Sequence, residues 1–182
     1  MPKKPKRPSL ADLRRAIRLP ESKSAMRWEI CDAYCHYAPE LSHLPVLRRA
    51  LRHYDGVVVR AAAISIAKLG PAVGEQVASE LYDAARRPDR WLGLPQAYSE
   101  CLDALISVGA DPEAVIDLVH SHFGHTNWGF IRDSMFALQR LATPKALSLL
   151  ERIIAFWWPE LDRKERRYVK KHFSKHVRKG IS

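Results

Sequence analysis

The stretch "DGVVVRAAAISIAKLG", residues 55–70, comes back along the chain, and a recurring unit constrains a fold more than any composition does. Strand-type alternation fails in it: Val57 to Val59 are consecutive, and so are Ala61 to Ala63. Alanine is the best helix former and a poor strand residue. Asp55 stands where a helix cap belongs, and Gly70 followed by Pro71 is a stop and restart. The pattern predicts a largely buried helix of about 14 residues. In "NWGFIRDSMFALQRLAT" (127–143), Asn127 precedes Arg132 by five, as Asp55 precedes Arg60, and Leu141 matches Leu69. In "SKSAMRWEICDAYCHYAPE", Ser22 precedes Arg27 by the same five and is the expected cap. A fourth copy, "LPQAYSECLDALISVGA" (94–110), ends in Val108-Gly109 but has Ser99 in place of the Arg and Pro95 in its first turn. The successive offsets are 33, 39 and 33 residues.

Each copy is followed by a second amphipathic segment: 40–54, 72–87, 111–123 and 144–158. In the second of these Val73, Val77 and Leu81 form a one-sided apolar stripe. Helical hairpins of this kind cannot bury their faces alone, and stacking gives them a shared core. The expected fold is all-α: about four hairpins (about 22–54, 55–87, 94–123 and 127–158) in one repeat domain spanning 9–182, after a basic tail at 1–8. "SLADLRRAIRL" (9–19), with Ser9 and Asp12 spaced as a capping box, predicts a short helix covering the first repeat. Residues 160–179, after Pro159 and before Gly180, predict a basic capping helix with Leu161, Tyr168, Val169, Phe173 and Val177 on its apolar side.

The capping Asp55, the Val59-Arg60 pair, the alanine-rich run and Lys68-Leu69-Gly70 resemble HEAT repeats, in particular the short bacterial HEAT-like units. The resemblance covers roughly 22–158; it is strong over 45–87, fair over 127–158 and weak over 94–123. It implies an α-solenoid in which the Asp caps a helix and the Arg pairs with a neighbouring turn. Arg27, Asp55, Arg60, Asn127 and Arg132 are then structural. It also implies that the second helices line a concave side. That selects Arg49, Arg52 and His53, with Arg48, from the first unit, and Glu80, Asp83 and Arg87, with Arg86, from the second. The third and fourth contribute His120, Arg152 and Trp157, with Asp117, Ser121 and Glu151. This mixed-charge ridge suits another protein's surface better than a uniform polyanion.

Charge sits at the ends. Net charge is +10, yet residues 1–18 hold seven Lys and Arg against one Asp, and 162–182 hold nine against two acids, which leaves the middle slightly acidic. The C-terminal segment offers Arg163, Arg166, Arg167, Lys170, Lys171 and Lys175, with Lys164, Arg178 and Lys179, as a cationic rod for phosphates or another acidic partner. Tyr168 or Phe173 could stack a base. The plainer reading is a solvated face on a capping helix, with cations favoured near its C-terminus.

Signs of chemistry are thin. Nucleophile elbows, phosphate-cradling glycine loops and dinucleotide fingerprints are absent from the sequence. Cys31, Cys35 and His36 lack a second ligand pair, and with Cys101 the cysteines read as reduced, mostly buried thiols. His172 and His176 have Lys175 beside them, and His120, His122 and His125 straddle a helix end; no metal and no cofactor is expected from either set. The enzyme alternative is a DNA glycosylase of HEAT-like build, using Trp128, Asp133 and the other tryptophans Trp91, Trp157 and Trp158. The preferred expectation is a non-catalytic interaction protein: an adaptor, a regulator or a toxin-neutralising, immunity-type inhibitor. Its partner would be a protein carrying an acidic patch, with nucleic-acid binding through the C-terminal segment as the alternative. No run approaches the roughly 18 consecutive apolar residues of a membrane span. With no signal-peptide pattern either, a cytoplasmic monomer is expected.

Overall fold

The structure, a computed structural model, describes residues 9–87, 97–124 and 127–180, and every regular element among them is helical. The basic tail at 1–8, Trp91, Pro95, His125 and the side chains of Arg178 and Lys179 lie outside the described residues. The chain divides into two compact units, Met1–Ala110 and Asp111–Ser182. The division falls inside the expected third hairpin, between its two helices.

The first unit contains α1 (Leu10–Arg18), α2 (Ser24–Cys35), α3 (Leu44–Leu51), α4 (Gly56–Leu69), α5 (Gly74–Arg86) and α6 (Tyr98–Ser107). Short 3-10 turns lead into α2, α3 and α5. The opening stretch of sequence is α4, 14 residues long, and it packs against α2, α3 and α6. A helix with neighbours on three sides must be apolar around most of its circumference. Val58, Val59, Ala61, Ala62, Ala63 and Ile66 are all buried, and the alanines let the neighbouring helices come close. Asp55 caps α4 through Oδ1, which accepts the Val57 N–H at 2.9 Å. Gly70 ends it at φ +67°, a left-handed conformation that favours glycine. By length and composition Gly56–Arg86 is apolar enough to cross a membrane, but Gly70 divides it into α4 and α5. The apolar face of α5 (Val77, Leu81, Ala84, Ala85) is buried in this unit, where α5 packs on α6 and α3. The helix α1 lies against α2 and α3, held at its start by the expected Ser9–Asp12 capping box.

One helix start differs from expectation. Ser22 does not cap α2: a 3-10 turn over Glu21–Lys23 comes first, and α2 begins at Ser24 with no side-chain cap. The tighter turn supplies i→i+3 bonds of its own, such as Lys23 N–H to Pro20 O at 3.0 Å, in place of a cap.

The second unit contains α7 (Pro112–Ser121), α8 (Trp128–Leu141), α9 (Pro144–Trp157), α10 (Arg163–His172) and α11 (Ser174–Gly180). Here α8 pairs with α9, α7 touches both, and α11 packs along α9. Asn127 caps α8, its Oδ1 accepting the Phe130 N–H at 3.2 Å, and Thr143 caps α9. The single basic helix expected over 160–179 is two helices. The first starts at Asp162, whose capping box with Glu165 replaces the start anticipated at Pro159. The break comes at Phe173, whose backbone leaves helical geometry (φ −125°, ψ 29°) and whose ring is 1% exposed. Burying that ring turns α11 onto α9, where His176 Nδ1 meets Glu151 Oε1 at 3.3 Å.

Candidate functional site

In the first unit the second helices α3 and α5 lie side by side and form an open, polar groove of about 490 Å³. Arg48, Arg52 and Arg87 line it together with Glu75, Gln76, Ser79, Glu80 and Asp83. Its charges are matched three to three. Glu80 sits at the centre: Oε1 accepts from Arg48 Nε at 2.8 Å and from Arg52 Nη2 at 3.2 Å. Burial opposes the charge on Glu80, but the hydrogen bonds from Arg48 prevail and hold its carboxyl below the ordinary range. Arg52 and Asp83 remain exposed, and Arg49 is exposed on α3.

Two residues placed on this ridge from the sequence do inward work. The His53 ring is half-buried, with Nε2 3.2 Å from Ile17 O and Nδ1 accepting the Asp55 N–H at 3.0 Å. Burial, with the nearby Arg27 charge, lowers its pKa. Arg87 turns its Nη1 to the His53 carbonyl at 3.0 Å.

In the second unit α7 and α9 again lie side by side. Lys145 pairs with Glu113 and lies 3.8 Å from Asp117, so an ion-pair network spans the two helices. His120 and Arg152, selected for the second-helix ridge, have exposed side chains. Trp157 is not: its ring is 9% exposed, and Phe156, at 55%, is the aromatic presented to solvent. Phe156 packs on Phe123 (ring centroids 5.0 Å apart), and Phe123 on His120 (6.2 Å). Neither phenylalanine was singled out from the sequence. The signal was in "FWW": consecutive helical residues point about 100° apart, so three adjacent aromatics cannot all face the core.

The recurring arginine does three different things. Arg27 is 1% exposed, with Nε 3.4 Å from Ala16 O and Nη2 2.8 Å from Tyr54 Oη; it also bonds Leu19 O and pairs with Asp55. Burial works against its charge, but the Asp55 carboxylate outweighs that and raises its pKa. Asp55 thus serves α4 with one oxygen and Arg27 with the other. Arg60, by contrast, is half-exposed and pairs with Glu100 on α6 at 2.8 Å. Arg132 pairs with its own neighbour Asp133 at 2.8 Å. That pair holds the carboxylate the glycosylase reading would need, and Trp128 packs edge-on to Tyr168 at 6.0 Å.

On the basic segment, Arg163, Lys164, Arg167, Lys170, Lys171 and Lys175 are exposed. Arg166 is not available in the same way: Nε bonds Trp158 O at 3.1 Å and Nη2 bonds Pro159 O at 2.8 Å. Tyr168 is half-buried among Trp128, Phe136 and His172, and Phe173 is in the core, so neither offers a free face for a base.

Cys31 and Cys101 are buried and Cys35 is half-buried. Burial pushes the Cys31 thiol up to about 12, and raises Cys101 and Cys35 as well. A thiol-reactive probe near neutral pH should therefore label the folded protein slowly and at Cys35 first, with all three reacting after denaturation. Rapid labelling of Cys31 or Cys101 in the folded state would contradict this packing. Among the described residues no three His, Cys, Asp or Glu side chains cluster to hold a metal ion. Comparison with protein-family models, with curated proteins and with solved structures finds no match.

Proposed function

We propose that this chain is a non-catalytic, HEAT-like repeat module that docks another protein on its second-helix surfaces. An adaptor, a regulator and a toxin-neutralising inhibitor of the immunity type all fall within this reading. One observation carries it. In both units the second helices pair side by side, and an ion pair joins them across the same 32-residue separation: Arg48 to Glu80 in the first, Glu113 to Lys145 in the second. Contacts one repeat apart recur elsewhere too, as when Lys68 donates to the Cys35 and Tyr37 carbonyls. Such spacing is what a stack of helical hairpins produces.

Around the ion pairs the exposed residues are of both signs, with an aromatic anchor in the second unit. Mixed charge with a few anchors favours a specific protein face, where complementary charges set register and aromatics supply affinity. The groove's own charges are already matched, which favours a partner that re-pairs them over a polyanion that would leave three carboxylates opposed.

The test is affinity capture from the source cell at moderate salt, with three baits: the parent, Arg52→Glu/Asp83→Arg, and Arg152→Glu/Phe156→Ala. A partner retained by the parent and lost by at least one ridge variant is the expected result. The purified partner should then bind the parent alone with the same dependence. If no protein's recovery depends on either pair of substitutions, the ridge is not a docking surface.

A further inference from the structure

We propose that the outer face of α10 is a binding site for the phosphate backbone of duplex nucleic acid, read without base stacking and without sequence preference. At 100° per residue, Arg163, Lys164, Arg167, Lys170 and Lys171 fall within about 120° of the helix circumference. All five are exposed, and the arc lies opposite the buried Val169. The arc contains no acid. The two acids of the segment, Asp162 and Glu165, are committed to the helix start, where each carboxylate accepts the other's backbone N–H at 2.8 Å.

Lys170 is partly engaged, its Nζ 5.6 Å from the centre of the Trp158 ring. The other four have no acidic partner among the described residues. Four unpaired cations on one face of a ten-residue helix repel one another unless an anion is brought to them. From Arg163 to Lys171 the row spans about 12 Å, at about 1.5 Å per residue. A duplex carries a charge every ~1.7 Å of axis, dense enough to meet each of the four.

The same geometry selects duplex over single strand. A single strand is held by aromatic platforms. Here the aromatics beside the row are taken: Tyr168 is packed against Trp128 and Phe136, Phe173 is buried, and Arg166 and Lys170 lie over Trp158. What remains is charge alone, and charge favours the denser lattice.

The measurement is fluorescence anisotropy of the full chain with labelled duplex DNA, duplex RNA and a single strand of matched length. Four phosphate contacts give a log–log salt slope of about −3.6, so affinity should fall about 150-fold between about 50 and 200 mM salt. Arg163→Gln, Arg167→Gln and Lys171→Gln together should weaken duplex binding at least tenfold and flatten the slope to about −0.9. The charge-keeping set, Arg163→Lys, Arg167→Lys and Lys171→Arg, should retain both affinity and slope. Thermal unfolding of the charge-keeping set should match the parent, and the glutamine set should be no less stable, since all three positions are exposed and removing like charges relieves their repulsion. Duplex binding unchanged in the glutamine variant overturns the site, and tighter binding to the single strand overturns the exclusion of stacking. Sedimentation with phosphatidylserine vesicles but not with duplex would assign the row to a membrane surface instead, and binding to neither would remove the polyanion altogether.

Discussion

An Arg27→Ala variant should lose about 3–5 kcal/mol of stability in urea unfolding, whereas Arg60→Ala should lose no more than about 1 kcal/mol. The two arginines occupy equivalent positions in the repeating sequence, so any account from sequence alone would rank them together. Their surroundings separate them. Arg27 is 1% exposed and joins the end of α1, through the Ala16 and Leu19 carbonyls, to Asp55 at the start of α4 and to Tyr54. Removing it leaves those carbonyls and a carboxylate short of a donor in the interior, and opens a cavity where the side chain lay. Arg60 makes one ion pair, to Glu100, with both side chains partly in water. Asp55→Ala should come close to Arg27→Ala, since it removes the cap of α4 and leaves a buried guanidinium without its counter-charge. Equal losses at Arg27 and Arg60 would mean that the buried network does not hold the first unit together.

Gly74→Ala should destabilise the protein by about 1–3 kcal/mol or more, although helix propensity alone predicts a gain of about 0.8–1 kcal/mol for the same change. Gly74 is the first residue of α5 and is buried. A Cβ placed there would lie 2.3 Å from the carbonyl oxygen of Val108, at the end of α6. That atom is backbone, so α5 and α6 would have to move apart, and α4 packs on α6 as well. A lowered midpoint in thermal or urea unfolding is the expected result. A raised midpoint would show that the α5–α6 contact yields at little cost, and that the glycine is not needed for the close approach.

The helix inventory was largely legible in the sequence, wherever a local rule decides. Asp55, Asn127 and the Ser9–Asp12 pair were read as helix starts because capping depends on residues two or three positions apart. The end of α4 was legible because few residues other than glycine take φ +67° without strain. The same local rules failed at Ser22, where a 3-10 turn supplied the bonds a cap would have, and at Phe173, which nothing within its own helix marks as a break.

The candidate site was legible only in outline. The HEAT-like resemblance selected Arg52, Asp83, His120 and Arg152 for a ridge on the second helices, and the structure finds their side chains exposed. Which arginine would be buried, which of Phe156 and Trp157 would face water, and which basic residues would be spent on Trp158 were not legible. Each of those depends on a partner brought from another helix.

The sequence by itself determined that the chain is helical, where most of its helices begin and end, and that its cations lie near the termini. These follow from the period of the apolar residues, from capping chemistry and from counting. Only the tertiary structure decided that equivalent repeat positions have unequal roles, and that the terminal basic segment bends at Phe173. It also decided that four cations of α10 find no acidic partner among the described residues, while Arg166 is tied to the backbone of the preceding turn. The physical reason is range: a helix is specified within a few residues, whereas burial, ion pairing and free surface are set by whichever elements pack alongside, and that information is spread over the whole chain.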